Sequence, residues 1–195
     1  PLGGLWFSTI LRPDVQSLSI SLLPLAAAVS IARTINRLFG LKARIKWPND
    51  VRIHGKKVAG VLAETFRRGG YCHVVVGFGI NANNSAKSMP NDLPGIATSL
   101  FDEIGAPVNI EKLMQEILKD FSLVYHSVIE NDSTVIGQWK DLCDMLNRHI
   151  IVHERNKPFA AIAVDICPDG SLLVRLGNGK VRRLYSGDVS LKEIV

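Results

Sequence analysis

Cysteine is scarce in this chain of 195 residues. Cys72, Cys143 and Cys167 are odd in number, far apart, and part of no Cys-x-x-Cys motif. That excludes a disulfide framework and a cysteine-built zinc site, and it points to reduced, mostly buried thiols in a cytoplasmic protein. Long basic runs are also missing. Lys56-Lys57, Arg67-Arg68 and Arg182-Arg183 are pairs within a net charge of +5, and aromatics do not interleave with them. A nucleic-acid platform is therefore not indicated, while an anionic ligand such as a nucleotide is allowed. No membrane span is expected. The apolar stretch 18–39 carries Arg33, Asn36 and Arg37, so it reads as a buried helix. Several catalytic signatures are absent too. There is no Gly-x-x-x-x-Gly-Lys-Ser/Thr loop, no Gly-x-Ser-x-Gly elbow and no His-Glu-x-x-His. Gly77-Phe78-Gly79 lacks the third glycine and the following helix of a dinucleotide fingerprint.

What is present is a hydrophobic fraction of 47%, enough for a large core. Residues 5–11 alternate as a strand, and Arg12-Pro13-Asp14 breaks it. Ser19, Ser21 and Pro24 signal the start of an alanine-rich helix that Gly40 ends. Ala26, Ala27, Ala28 and Ala32 allow it to lie close against a sheet. Strands are expected at 43–47, 51–53, 57–67 and 71–80, the last three joined by tight turns as an antiparallel meander. Residues 81–93 read as a polar loop. An amphipathic helix is expected over 110–130 and a shorter one over 133–143. From about residue 148 the pattern changes to short strands at 150–152, 160–166, 172–176 and 181–184, which predicts a small β-barrel or sandwich.

The stretch 44–64 organises the rest. It sets Lys46, Asn49, Asp50, Lys56 and Lys57 among Ile45, Trp47, Val51, Ile53, Val58, Val61 and Leu62. A surface loop would be less apolar, and a core strand would not carry two lysine clusters, so a functional site is expected here. Lys46 and Lys57 lie on strands joined by a turn. Two neighbouring ammonium groups repel unless an anion lies between them, and phosphate and carboxylate are the candidates. Asn49-Asp50 is a good turn former, and it also suits a Mg²⁺ ion shared with nucleotide phosphates. Gly60, Gly77 and Gly79 interrupt adjacent strands, which marks a cleft floor where backbone groups can be reached. Asn81 follows at the strand end.

At these residues the chain resembles the catalytic domain of biotin protein ligases. K-W-P-N-D at 46–50, K-x-A-G-x-L-x-E at 57–64 and G-x-G-I-N at 77–81 occur in the family's order and spacing, as do A-T-S-L at 97–100 and S-G-D-V-S at 186–190. The opening G-G-L-W-F-S resembles the strand that follows the family's glycine-arginine loop. The resemblance implies an α+β fold: a mixed or antiparallel sheet with flanking helices, like that of class II synthetases and biotin ligases, in residues 1–147. An SH3-like β-barrel follows in residues 148–195. It implies formation of biotinyl-5′-adenylate from biotin and ATP with Mg²⁺, then transfer of biotin to a lysine of a biotin carboxyl carrier protein. Lys57 and Lys46 are the implied catalytic residues. Gly60, Leu62, Gly77, Gly79, Ile80 and Asn81 are implied to bind biotin and adenosine, and Asp50 with Asn49 to serve the metal. The family's glycine-arginine loop is not in the chain, so the catalytic domain is expected to be N-terminally incomplete. Two alternatives stand beside this reading, a lipoate ligase-like enzyme and a non-catalytic fragment that binds biotin or the adenylate. A sheet edge able to pair with a second copy leaves a homodimer open.

Overall fold

The computed structural model describes residues 3–13, 20–69, 71–85, 97–130, 134–153 and 157–191. Ser19, Asp14, Gly70, residues 86–93 of the expected polar loop, and Ser133 lie outside the described residues. Among them ten strands and four α-helices follow in the order β1 (Leu5–Leu11), α1 (Leu23–Phe39), β2 (Arg44–Lys46), β3 (Asp50–Ile53), β4 (Lys56–Arg68), β5 (Tyr71–Ile80), α2 (Leu100–Ile104), α3 (Ile110–Ile129), α4 (Thr134–Leu142), β6 (His149–His153), β7 (Phe159–Ile166), β8 (Leu172–Leu176), β9 (Val181–Leu184) and β10 (Asp188–Leu191). The expected elements form close to their predicted bounds. β10 is the strand that sequence patterning did not single out.

Helix α1 shows why local signals sufficed. Pro24 sits in its first turn, where a missing N–H costs nothing. Gly40 ends it in the left-handed region at φ 66, and its N–H bonds to the Asn36 carbonyl. The alanines Ala26, Ala27, Ala28 and Ala32 are fully buried. They let α1 pack against the sheet on one side and against α3 and α4 on the other. By length and composition 20–39 would be apolar enough to cross a membrane. Here it is the central helix of the core. Helix α3 starts at Asn109, whose side chain accepts from the Lys112 N–H, and buries Leu113, Ile117, Phe121, Val124 and Val128 on one stripe.

The first sheet has the strand order β1-β5-β4-β3-β2 and is antiparallel throughout its named strands. Its register sorts residues into two faces, because directly opposed residues share a face and successive ones alternate. One row runs Leu5–Ile80–Ala59–Val51–Ile45. All five are buried, and this row faces the helices. The next row runs Trp6–Gly79–Gly60–Asp50–Lys46 and belongs to the other face. The second sheet, order β10-β6-β7-β8-β9, is also antiparallel. It is fastened to the first unit next to the lysine strand. The Trp47 indole N–H, fully buried, donates to the Gly170 carbonyl at 3.0 Å. Ser21 Oγ donates to the Asp169 carbonyl at 2.7 Å, and Lys140 pairs with Asp165 at 2.7 Å. Gly170 has φ 81, and a Cβ there would lie 3.3 Å from Leu22, so glycine suits this close approach. One continuous apolar core joins both sheets.

Candidate functional site

The open face of the first sheet carries a cleft of about 520 Å³, within the range of small-molecule sites. Its floor is backbone. Gly60 and Gly79 oppose each other on β4 and β5, and Gly77 opposes Leu62 one pleat further on. A Cβ at Gly77 would lie 3.6 Å from Ser8 Oγ, and one at Gly79 would lie 3.4 Å from the Trp6 ring. Trp6 and Leu62, 53% and 62% exposed, form the apolar walls. Such side chains are costly to leave in water unless something covers them.

The charged end of the cleft is made by Lys57, Asp50 and Lys46. Lys57 reaches this face through a local irregularity. Asp50 opposes Gly60 and Val51 opposes Ala59, but Arg52 opposes Lys57, so Val58 is an extra residue in β4. In regular pairing Lys57 would point to the helices with Ala59. The bulge inverts the alternation at this point and sends the lysine to the cleft. Val58 and Ala59 are consequently both buried. The bulge is pinned from outside the hairpin. The Asn81 N–H donates to the Val58 carbonyl at 2.8 Å, and the Thr98 N–H donates to the Lys57 carbonyl at 2.9 Å.

Lys57 Nζ lies 2.5 Å from Asp50 Oδ1, while its side chain remains 47% exposed toward the cleft. Gly60 makes room for it, since a Cβ there would lie 3.0 Å from both Lys57 Cε and Nζ. Lys46 Nζ, almost fully buried, lies 3.8 Å from Asp50 Oδ2 and 2.6 Å from Asp188 Oδ1 of β10. Burial works against charge on Asp188. The hydrogen bond and attraction of Lys46, with His153 nearby, outweigh it and hold its carboxyl below the usual carboxylate range. The two lysines expected to converge on an anion therefore do so on one the chain supplies, Asp50. Only Lys57 has an open side. An ammonium group has three donors, so it can keep Asp50 and still take a ligand oxygen.

The remaining expected residues divide. Gly60, Leu62, Gly77 and Gly79 line the cleft. Ile80 lies on the opposite row, fully buried between Leu5 and Ala59. Asn81 uses its side chain internally, donating to the Thr98 carbonyl at 3.0 Å and accepting from Asn84 at 3.3 Å. It braces the turn that pins Lys57. Asn49 lines the cleft, but its side-chain amide donates to the Val61 carbonyl, and its own carbonyl accepts from the Val61 N–H at 3.2 Å. Asp50 is engaged by two ammonium groups, and among the described residues no group of three His, Cys, Asp or Glu side chains could hold a metal ion. These residues do not by themselves fit a protein-built metal site. Sequence reading missed Trp6, Ser8 and Asp188. The alternation of β1 could have indicated the first two. Asp188 lies within the S-G-D-V-S motif at 186–190, but nothing local places it beside Lys46.

An ammonium beside a flat backbone floor and two apolar walls suits a carboxylate attached to an apolar body. Comparisons with known proteins bear on which one. The family described as "Biotin/lipoate A/B protein ligase family" matches residues 1–81, and "Biotin protein ligase C terminal domain" matches residues 145–192. The chain is 33% identical over 191 residues to the "Bifunctional ligase/repressor BirA" of Bacillus subtilis, covering 97% of this chain and 58% of that protein. It is 33% identical over 128 residues to the "Biotin--[acetyl-CoA-carboxylase] ligase" of Paracoccus denitrificans, covering 63% of this chain and 52% of that protein. The structure "Biotin protein ligase from Aquifex aeolicus in complex with biotin and ATP" superposes with a TM-score of 0.81 at 26% identity, covering 98% of this chain and 79% of that one. The chain thus spans between half and two thirds of the length of these two curated relatives.

Proposed function

This chain belongs to the biotin/lipoate A/B protein ligase family, and on that premise we propose that its cleft forms biotinyl-5′-adenylate from biotin and ATP. The biotinyl group then passes to a lysine of a biotin carboxyl carrier protein. The observation that carries this reading is the Lys57 ammonium, turned by the β4 bulge onto a floor made by Gly60 and Gly79. A fused-ring acid fits that shape, with its ring body between Trp6 and Leu62 and its carboxylate at Lys57.

In the first step a biotin carboxylate oxygen attacks the α-phosphorus of ATP and pyrophosphate leaves. Two anions must meet, so a fixed cation between them lowers the barrier without reorganising at the moment of reaction. Lys57 takes that role, held in place by Asp50. Lys46 sits behind Asp50 with its charge met by Asp188, so it serves the reaction through Asp50. In the second step an uncharged lysine amine of the carrier attacks the anhydride carbonyl and AMP leaves. Gly77 and Gly79 admit biotin close to the backbone. Ile80 and Asn81 act from below and beside the floor. A Mg²⁺ ion would arrive on the ATP phosphates, and no step here is assigned to it. We assign residues 1–147 to the catalytic unit and 148–195 to the C-terminal unit. The three cysteines are free thiols, which supports a cytoplasmic location. The outer edge of β1, with β5 on its other side, is where a second copy could add its sheet.

The test is biotin-dependent exchange of pyrophosphate into ATP, followed by transfer of labelled biotin to a carrier domain. Exchange driven by biotin and not by lipoate is expected. Exchange driven by lipoate, or biotin binding without exchange, would overturn the reading.

A further inference from the structure

The charged end of the cleft does not close within the catalytic sheet. Lys46, buried to 7% exposure, has Asp50 at 3.8 Å and Asp188 at 2.6 Å. A nearly buried ammonium requires a close anion, since burial strips its hydration and only a counter-charge offsets that loss. Asp188 meets that requirement from the C-terminal sheet, and it leaves Asp50 to hold Lys57 at 2.5 Å. We propose that Asp188 is a positioning residue for Lys57: by holding Lys46 it frees Asp50 to fix the catalytic ammonium over Gly60. If Asp188 loses its charge, Lys46 has Asp50 as its remaining close anion. The Asp50 carboxylate then turns toward Lys46, and Lys57 loses its fixed place.

Other ties hold the two units together. Trp47 to Gly170, Ser21 to Asp169 and Lys140 to Asp165 do not involve Asp188. The Asp188 side chain is itself 67% exposed. Neutralising it therefore leaves the docking contacts in place, and the effect on Lys57 can be separated from an effect on folding. A second interdomain ion pair offers a built-in control, because Lys140–Asp165 joins the same units without touching the Lys46–Asp50–Lys57 chain.

The inference rests on reading the cleft as an adenylate-forming site, and its test has one arm that does not. In the unliganded protein, amide NMR shifts at Asp50, Lys57 and Gly60 should move in Asp188→Asn, and should not move in Lys140→Met. In the pyrophosphate-exchange assay Asp188→Asn should lower kcat about tenfold, the scale of a modest misplacement of a reacting group, with biotin affinity changed less than about threefold. Asp188→Glu should recover most of the rate, and Lys140→Met should keep it. Unchanged amide shifts in Asp188→Asn would overturn the inference, as would equal effects of Asp188→Asn and Lys140→Met. Should Asp188→Asn melt below the assay temperature, the shifts measured in the cold for Asp188→Ser decide in the same way. If the wild-type chain exchanges no pyrophosphate but the amides shift as stated, the proposed function fails and the relay stands.

Discussion

Two rows of one sheet, one residue apart, have opposite fates. Leu5–Ile80–Ala59–Val51–Ile45 is uniformly apolar and buried. Trp6–Gly79–Gly60–Asp50–Lys46 contains the two glycines, the carboxylate and the lysine of the cleft. The first row is interchangeable in kind, since any well-packed apolar set of the same volume would hold α1. The second is not, because each member is defined by what its neighbour needs. Gly60 is small because Lys57 lies over it, and an acidic residue suits position 50 because two lysines converge there. Stability and chemistry are thus carried by alternate residues of the same strands.

Substitutions can break this division or sharpen it. The largest effect is expected for Lys57→Ala, which should slow adenylate formation roughly a thousandfold, while circular dichroism and melting stay near wild type. A comparable loss of stability would put Lys57 among the structural residues. Ile45→Ala, in the buried row, should act in the opposite sense. It should cost about 3 kcal/mol in chemical denaturation and leave kcat/KM within about twofold at temperatures where the protein is folded. Gly60→Ala comes next. Its Cβ would meet the end of Lys57 at 3.0 Å, a contact that a flexible side chain can leave. The lysine should shift and kcat should fall about a hundredfold, with little change in melting temperature. Leu62→Ala removes an exposed wall of the cleft and should weaken biotin binding by about 1 kcal/mol in calorimetry, with stability unchanged.

The smallest effect is a pH dependence. Asp188 has a folded pKa below its unfolded value, burial being outweighed by Lys46 and His153. Its stabilising contribution is therefore complete above the ordinary carboxylate range and is lost as pH falls through the lower folded value. Acid titration of stability should show this loss in the wild type and not in Asp188→Asn. The same slope in both would remove the ion pair from the stability of the interface.

Most of the fold was legible because its signals are local. Gly40 ends α1, one apolar stripe marks α3, alternation marks β1, and tight turns bound β4 and β5. The site was legible in part. Glycines at 60, 77 and 79 marked a floor, and lysines at 46 and 57 marked a charged end. Regular alternation would have sent Lys57 toward the core with Ala59, and nothing in Lys56-Lys57-Val58-Ala59 announces the extra residue. The family resemblance implies an adenosine contact for Ile80. The pleat turns it to the opposite, fully buried face. The resemblance implies the same for Asn81, whose side chain the structure spends on the turn at Thr98.

Taken alone, the sequence determined which residues are apolar, where chains turn, and which cations and glycines are available, because those properties depend on neighbours a few positions away. Tertiary structure decided which of them meet. It set five strands in a register that lines up Trp6, Gly79, Gly60, Asp50 and Lys46. It pinned a bulge at Val58 with amides from Asn81 and Thr98. It brought Asp188 across 142 positions of sequence to within 2.6 Å of Lys46. The reason is that a buried ammonium is satisfied by whichever carboxylate the packing of two sheets delivers, and no local pattern encodes that choice.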